Sequence, residues 1–189
     1  MIRIGILGDI GSGKSFVAQN FGYPIFNADL EVSKLYKKNR KVFIKLKKIL
    51  PKYFKKFPVS KGDVSKAILD NNKNLNKIVK IVHIEIRKKM NIFLNKNRRK
   101  KIIILDIPLL LENKINHKKD ILIFVQSKRE QIFRRLKKRE NFNVKILNNF
   151  KKIQLPLDYK KKKAHFIIKN NFTKKSVKDS VKKILKEIL

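Results

Sequence analysis

Residues 8–15 read Gly8-Asp9-Ile10-Gly11-Ser12-Gly13-Lys14-Ser15, which fills every fixed position of the pattern G-x-x-x-x-G-K-[ST]. What flanks the match decides its meaning. Ile2, Ile4, Ile6 and Leu7 form a short apolar run that stops at Gly8, as a buried parallel strand does. From Lys14 to Phe21 the spacing of Val17, Ala18 and Phe21 predicts a helix packed on that strand. Between strand and helix, glycines let the backbone turn so that successive N–H groups face one point, and the helix adds the positive end of its dipole. That arrangement suits phosphate.

In such a loop Gly8, Gly11, Ser12 and Gly13 wrap the phosphates, and Lys14 brings a mobile charge to the β- and γ-phosphates. The Ser15 hydroxyl would ligate Mg²⁺. ATP with magnesium is the expected cofactor pair. A dinucleotide loop would need G-x-G-x-x-G, and the third residue after Gly13 is Phe16. A GTPase shares the loop, but no N-K-x-D follows a later strand and no D-x-x-G follows Asp106, so ATP is expected over GTP.

Working outward, Tyr23–Phe26 predicts a second short strand, followed by Asn27-Ala28-Asp29 and a helical pattern through Leu30, Val32, Lys34 and Leu35. From 37 to 97 the chain is lysine-rich with helical apolar stripes at Val42, Leu46 and Ile49 and at Ile78, Ile81, Val82, Ile86 and Met90, punctuated by Pro51, Pro58 and Gly62. Ile102–Leu105 and Ile121–Val125 are apolar without interruption, which places both strands inside a sheet. A basic helix over Arg129–Arg139, a helix over Val144–Ile153, a last strand over His165–Ile168 and a terminal helix over Val177–Leu189 complete the pattern. Strands alternating with helices predict an α/β fold in three layers with a parallel central sheet. One domain spans 1–189: a core of 1–36, 98–126 and 154–189, a helical insertion at 37–97 and a basic helical segment at 127–153.

Fifty Lys and Arg against fourteen Asp and Glu leave a formal charge of +36. The lysines are spread along nearly every segment with abundant Asn and Ile, and no helix-turn-helix, RNP or zinc-finger pattern accompanies them, so nucleic acid is not expected as a partner. There is no cysteine, which excludes disulfides and thiolate chemistry. The first strand starts at the N-terminus, leaving no room before the glycine loop for a cleavable signal, and no apolar run approaches a membrane span. A cytoplasmic location is the expectation.

An acceptor must be oriented or deprotonated near the γ-phosphate, and carboxylates at strand ends are the natural suppliers. Asp29, just past the second strand, is read as the base, with an N-cap for the next helix as its alternative. Asp106 closes an apolar strand and either completes the magnesium shell or packs locally beside Pro108. Arg129, Arg134, Arg135 and Arg139 share one predicted helix, and the last two are four apart on one face. They read either as a phosphate clamp or as a solvated basic surface.

Taken together, these motifs resemble the dephospho-coenzyme A kinase family along nearly the whole chain. The resemblance rests on residues 7–15, on Asn27-Ala28-Asp29, on Ile81-Val82-His83, and on Leu105-Asp106-Ile107-Pro108-Leu109-Leu110-Leu111-Glu112. Gln131 through Arg139 and Gln154-Leu155-Pro156-Leu157 follow in order. It implies phosphorylation of the ribose 3′-hydroxyl of dephospho-coenzyme A, with Asp29 as base, Lys14 and Arg139 on ATP phosphates, the helical insertion at 37–97 as the acceptor-binding part and 127–153 as the lid. Phe16 and Arg135 are further candidates beside the nucleotide, and His83 and Pro108 are the candidate acceptor contacts. On its own helix, beside Ile81, Val82 and Ile86, His83 reads first as a packing histidine. The sequence departs from the family pattern at Asp9, Phe16, Asn27, Ile84 and Ser65-Lys66, the last of which bears on the acceptor surface.

Overall fold

A computed structural model describes residues 1–140 and 142–189. Five strands, β1 (Ile2–Gly8), β2 (Ile25–Asn27), β3 (Ile102–Asp106), β4 (Ile121–Gln126) and β5 (Phe166–Lys169), form one parallel sheet in the order β2-β3-β1-β4-β5. The helices are α1 (Lys14–Asn20), α2 (Ala28–Lys38), α3 (Arg40–Ile49), α4 (Lys61–Asp70), α5 (Lys73–Lys96), α6 (Arg129–Lys137), α7 (Val144–Lys152), α8 (Leu157–Lys163) and α9 (Lys174–Ile188). As their apolar runs require, β3 and β4 lie inside the sheet.

Alternation along the strands sorts the two faces. Ile4, Ile6, Ile102, Ile104, Ile123, Val125 and Ile168 turn to one side and are buried with Val17, Ala18 and Phe21 of α1 and Val177, Val181 and Ile184 of α9. On the other side α8 packs against β1 and β4, and Leu110 fills the space that the missing side chain of Gly5 leaves. A Cβ built there would stand 2.5 Å from Leu110 Cδ2. Helix, sheet and helix make the three expected layers.

The chain forms two compact units, one of 1–27, 97–142 and 154–189 and the other of 28–96 and 143–153. The first holds the sheet with α1, α6, α8 and α9. The second is helical: α5 packs against α2, α3 and α4, and α4 against α7, around Leu35, Val42, Leu46, Phe54, Ile68, Leu75, Ile78 and Ile86, all buried. Capping is clear in the second unit. Ser60 and Asp63 close a reciprocal capping box at the start of α4, and Asn39 caps α3 by accepting from the Val42 N–H at 3.0 Å. No helix among the described residues is long and apolar enough to cross a membrane.

Several boundaries differ from those read in the sequence. β2 starts at Ile25, because Pro24 has no N–H for the ladder, although its carbonyl accepts from Ile104 N–H at 2.9 Å. β5 starts at Phe166, and His165 lines up with β4 through its ring: Nδ1 accepts the Leu122 N–H at 2.9 Å. α9 starts at Lys174, three residues before its first buried apolar side chain. Helix α8 has no counterpart in the sequence reading, since four of its seven residues are lysine and give no apolar period. The basic helix α6 ends at Lys137. Arg139 N–H bonds the Leu136 carbonyl three residues back at 3.1 Å, the tightened turn of a closing helix.

Candidate active site

All five strands run the same way, so the carboxyl ends of β1, β2 and β3 share one edge of the sheet, where ligands of open α/β folds bind. At that edge β1 delivers the glycine loop. Gly11 (φ 84°) and Gly13 (φ 89°) take left-handed conformations that other residues adopt only under strain. Space is equally restrictive. A Cβ on Gly11 would meet Ile132 and Leu136 of α6 at 3.0–3.1 Å, and one on Gly13 would stand 2.4 Å from Asn170 Nδ2. Lys14 is buried and bends back along the loop, its Nζ donating to the carbonyls of Gly8 (3.2 Å) and Asp9 (2.8 Å). Asp9 Oδ1 accepts the Ile10 N–H at 2.7 Å, so this departure from the family pattern stabilises the loop's first turn from within.

Next to the loop, Asp106 ends β3 with only 3% of its surface exposed. It stands in register with Asn27, whose Nδ2 donates to Asp106 Oδ2 at 2.7 Å. An aspartate at 27 would set two carboxylates face to face, where one would have to take up a proton or share a cation. The amide pairs with Asp106 without either. Asn27 is therefore a substitution the structure explains. Pro108 follows in a half-buried turn. Ser15 is the second residue of α1, and Phe16 packs partly against the core between α1 and the sheet.

On the other side of the loop stands α6. The Arg135 guanidinium lies 4.2 Å from the ring centroid of Phe172, a cation–π contact, and Phe172 itself holds φ 66°. Because the helix ends at Lys137, Arg139 lies beyond it, and the shared helical face expected of Arg135 and Arg139 is absent. The first unit thus gathers the glycine loop, Lys14, Ser15, Asn27, Asp106 and Arg135. Two residues of the sequence reading lie in the second unit. Asp29 is exposed in the first turn of α2, inside the helix and not at the capping position before it. His83 is half-buried in the middle of α5.

The family model for dephospho-CoA kinase matches residues 2–176, the glycine loop and the Asn170 loop included. The chain belongs to the dephospho-CoA kinase family. A dephospho-CoA kinase of Wolbachia sp. subsp. Brugia malayi is 32% identical over 96% of this chain and 95% of its own length, and one of Bartonella henselae is 29% identical over 98% and 97%. Among solved structures, a dephospho-CoA kinase from Campylobacter jejuni superposes with a TM-score of 0.64 at 21% identity, covering 98% of this chain and 96% of its own. A shikimate kinase from Bacteroides thetaiotaomicron gives 0.54 at 11% identity, covering 99% and 98%. Both share the P-loop kinase fold.

Two residues that the sequence reading did not single out brace the glycine loop from outside. Ser127, just past β4, and Asn170, just past β5, both donate to the Ser12 carbonyl, at 2.9 and 2.8 Å. Their signal was available. They occupy strand ends as Asp29 and Asp106 do, and asking the same question of β4 and β5 finds them.

Burial, and then the Arg87 guanidinium one turn on, push the His83 imidazole below its ordinary 6.5. Below about pH 6.5 the unfolded chain therefore takes up a proton that the folded chain refuses, and stability falls as the pH drops. His83→Asn should flatten the dependence of the denaturation midpoint on pH below about 6.5. An unchanged slope would assign the acid sensitivity to other groups.

Proposed function

We propose that the chain transfers the γ-phosphate of ATP to the ribose 3′-hydroxyl of dephospho-coenzyme A, giving coenzyme A and ADP. The observation that carries this reading is the complete glycine loop with Lys14 folded along it, in a chain that the family model matches from residue 2 to 176. In this reaction the protein supplies position and charge more than covalent chemistry. Lys14 leaves its two loop carbonyls for the β- and γ-phosphates, while the loop amides hold the α- and β-phosphates. Asp29 takes or orients the proton of the acceptor hydroxyl. Arg135 on α6 and Arg139 in the turn after it approach the nucleotide and help exclude water, and the insertion at 37–97 carries the acceptor, for which His83 and Pro108 are further contacts.

Magnesium fits the donors present. No cluster of three His, Asp or Glu exists among the described residues, which suits an ion that takes one or two protein oxygens and fills its shell with phosphate and water. Ser15 and Asp106 would hold it. Bound there, it would neutralise charge on the phosphates of ATP.

Product analysis with ATP, magnesium and dephospho-coenzyme A tests the proposal. Wild type should form coenzyme A and ADP in equal amounts, and Lys14→Ala should lower kcat/KM by roughly 10²-fold or more, the scale of a lost charge at the transferring group. ADP formed without coenzyme A would overturn the acceptor assignment.

A further inference from the structure

The peptide unit between Ser12 and Gly13 sits at the most permissive point of the glycine loop. Gly13 tolerates φ of either sign, so nothing intrinsic to the loop prevents this peptide from rotating. Its orientation is set from outside. The Ser12 carbonyl accepts from Asn170 Nδ2 at 2.8 Å and from Ser127 Oγ at 2.9 Å. The Asn170 side chain is itself oriented. It is 2% exposed, its Oδ1 accepts the Phe172 N–H at 2.8 Å, and its own backbone N–H bonds the Gln126 carbonyl at 2.7 Å. With Oδ1 committed to Phe172, Nδ2 can only face Ser12. Two loops, one past β4 and one past β5, thus meet on a single carbonyl.

A trans peptide is planar, and its C=O and N–H point to opposite sides. Holding the Ser12 carbonyl toward Asn170 and Ser127 therefore turns the Gly13 N–H away from them. We propose that Asn170 and Ser127 are positioning residues for the nucleotide, fixing the Ser12–Gly13 peptide in the one orientation that presents the Gly13 N–H to a phosphate of ATP. The inference rests on the nucleotide reading of the loop given above and is independent of which acceptor is used. Neither residue needs to touch the ligand. Their effect passes through one backbone amide, and the loss of either donor leaves the peptide a second orientation in which a carbonyl oxygen faces the phosphates.

Calorimetric titration with ADP tests this on the full chain: wild type, Ser127→Ala, Ser127→Thr, Asn170→Leu and the Ser127→Ala/Asn170→Leu pair. Ser127→Ala should weaken ADP about fivefold, the scale of one hydrogen bond, and Ser127→Thr, which keeps the hydroxyl, should restore binding. In steady-state assays the loss should fall on KM for ATP and leave KM for the acceptor in place. The pair should weaken ADP more than either change alone. Should Asn170→Leu fail to fold, the two Ser127 variants decide by themselves. ADP affinity in Ser127→Ala equal to wild type, or an equal loss in Ser127→Thr, overturns the inference and leaves the nucleotide reading standing. A wild type that binds no ADP overturns both.

Discussion

Asp29→Asn should lower kcat by about 10²–10⁴, the range for loss of a general base, while ADP binding measured by calorimetry stays at the wild-type level. The expectation follows from where the carboxylate is carried. Asp29 is the second residue after β2, whose carboxyl end shares the sheet edge with the end of β1 and its glycine loop. It is exposed in the first turn of α2. Asparagine keeps its shape and hydrogen-bonding reach but cannot accept a proton, so the change separates proton transfer from positioning. Asp106 is the competing carboxylate. It is buried and bonded to Asn27; because it is one of the two residues proposed to hold magnesium, Asp106→Asn should raise the magnesium concentration needed for half-maximal activity. Activity retained by Asp29→Asn and lost by Asp106→Asn would exchange the two roles.

The glycine loop, the parallel sheet and the interior places of β3 and β4 were legible because each depends on a local signal: fixed glycines, continuous apolar runs, strand and helix in alternation. Arg139 was misplaced for a physical reason. Charge gives no stop signal, and Arg134 through Arg139 reads as one basic stretch, although the backbone tightens at Leu136–Arg139 and leaves the helix. The partnership of Asn27 with Asp106 could not be read at all, because it depends on the register of β2 against β3, seventy-nine positions apart in the chain. For Ser127 and Asn170 the places at the ends of β4 and β5 were legible, but their meeting on the Ser12 carbonyl was not. Helix α8 failed for the opposite cause. Its lysines look like solvated surface, and one of them is not.

Lys160→Met should destabilise the fold by about 3–5 kcal/mol, the range for removing one partner of a buried ion pair. Within the run Lys160–Lys163 the last three side chains are exposed, whereas that of Lys160 is 1% exposed and reaches Glu112 at 2.6 Å. Glu112 is 9% exposed and also accepts the Leu155 N–H at 3.0 Å, and Lys160 Nζ donates to Gln154 Oε1 at 3.3 Å. The pair thus ties the turn after Asp106 to the start of α8, two segments that the sequence reading treated as separate family motifs. Truncating the lysine leaves the Glu112 carboxylate out of water with no cation beside it. In a domain whose total stability is of order 5–15 kcal/mol, that is a large share. The double change Lys160→Met/Glu112→Gln should recover much of the loss, since it removes both charges and keeps an acceptor for Leu155. Urea denaturation midpoints of wild type, the single variant and the double decide it. A midpoint for Lys160→Met within error of wild type would mean that water reaches this pair in solution, and α8 would then owe its place to its other contacts with β1 and β4.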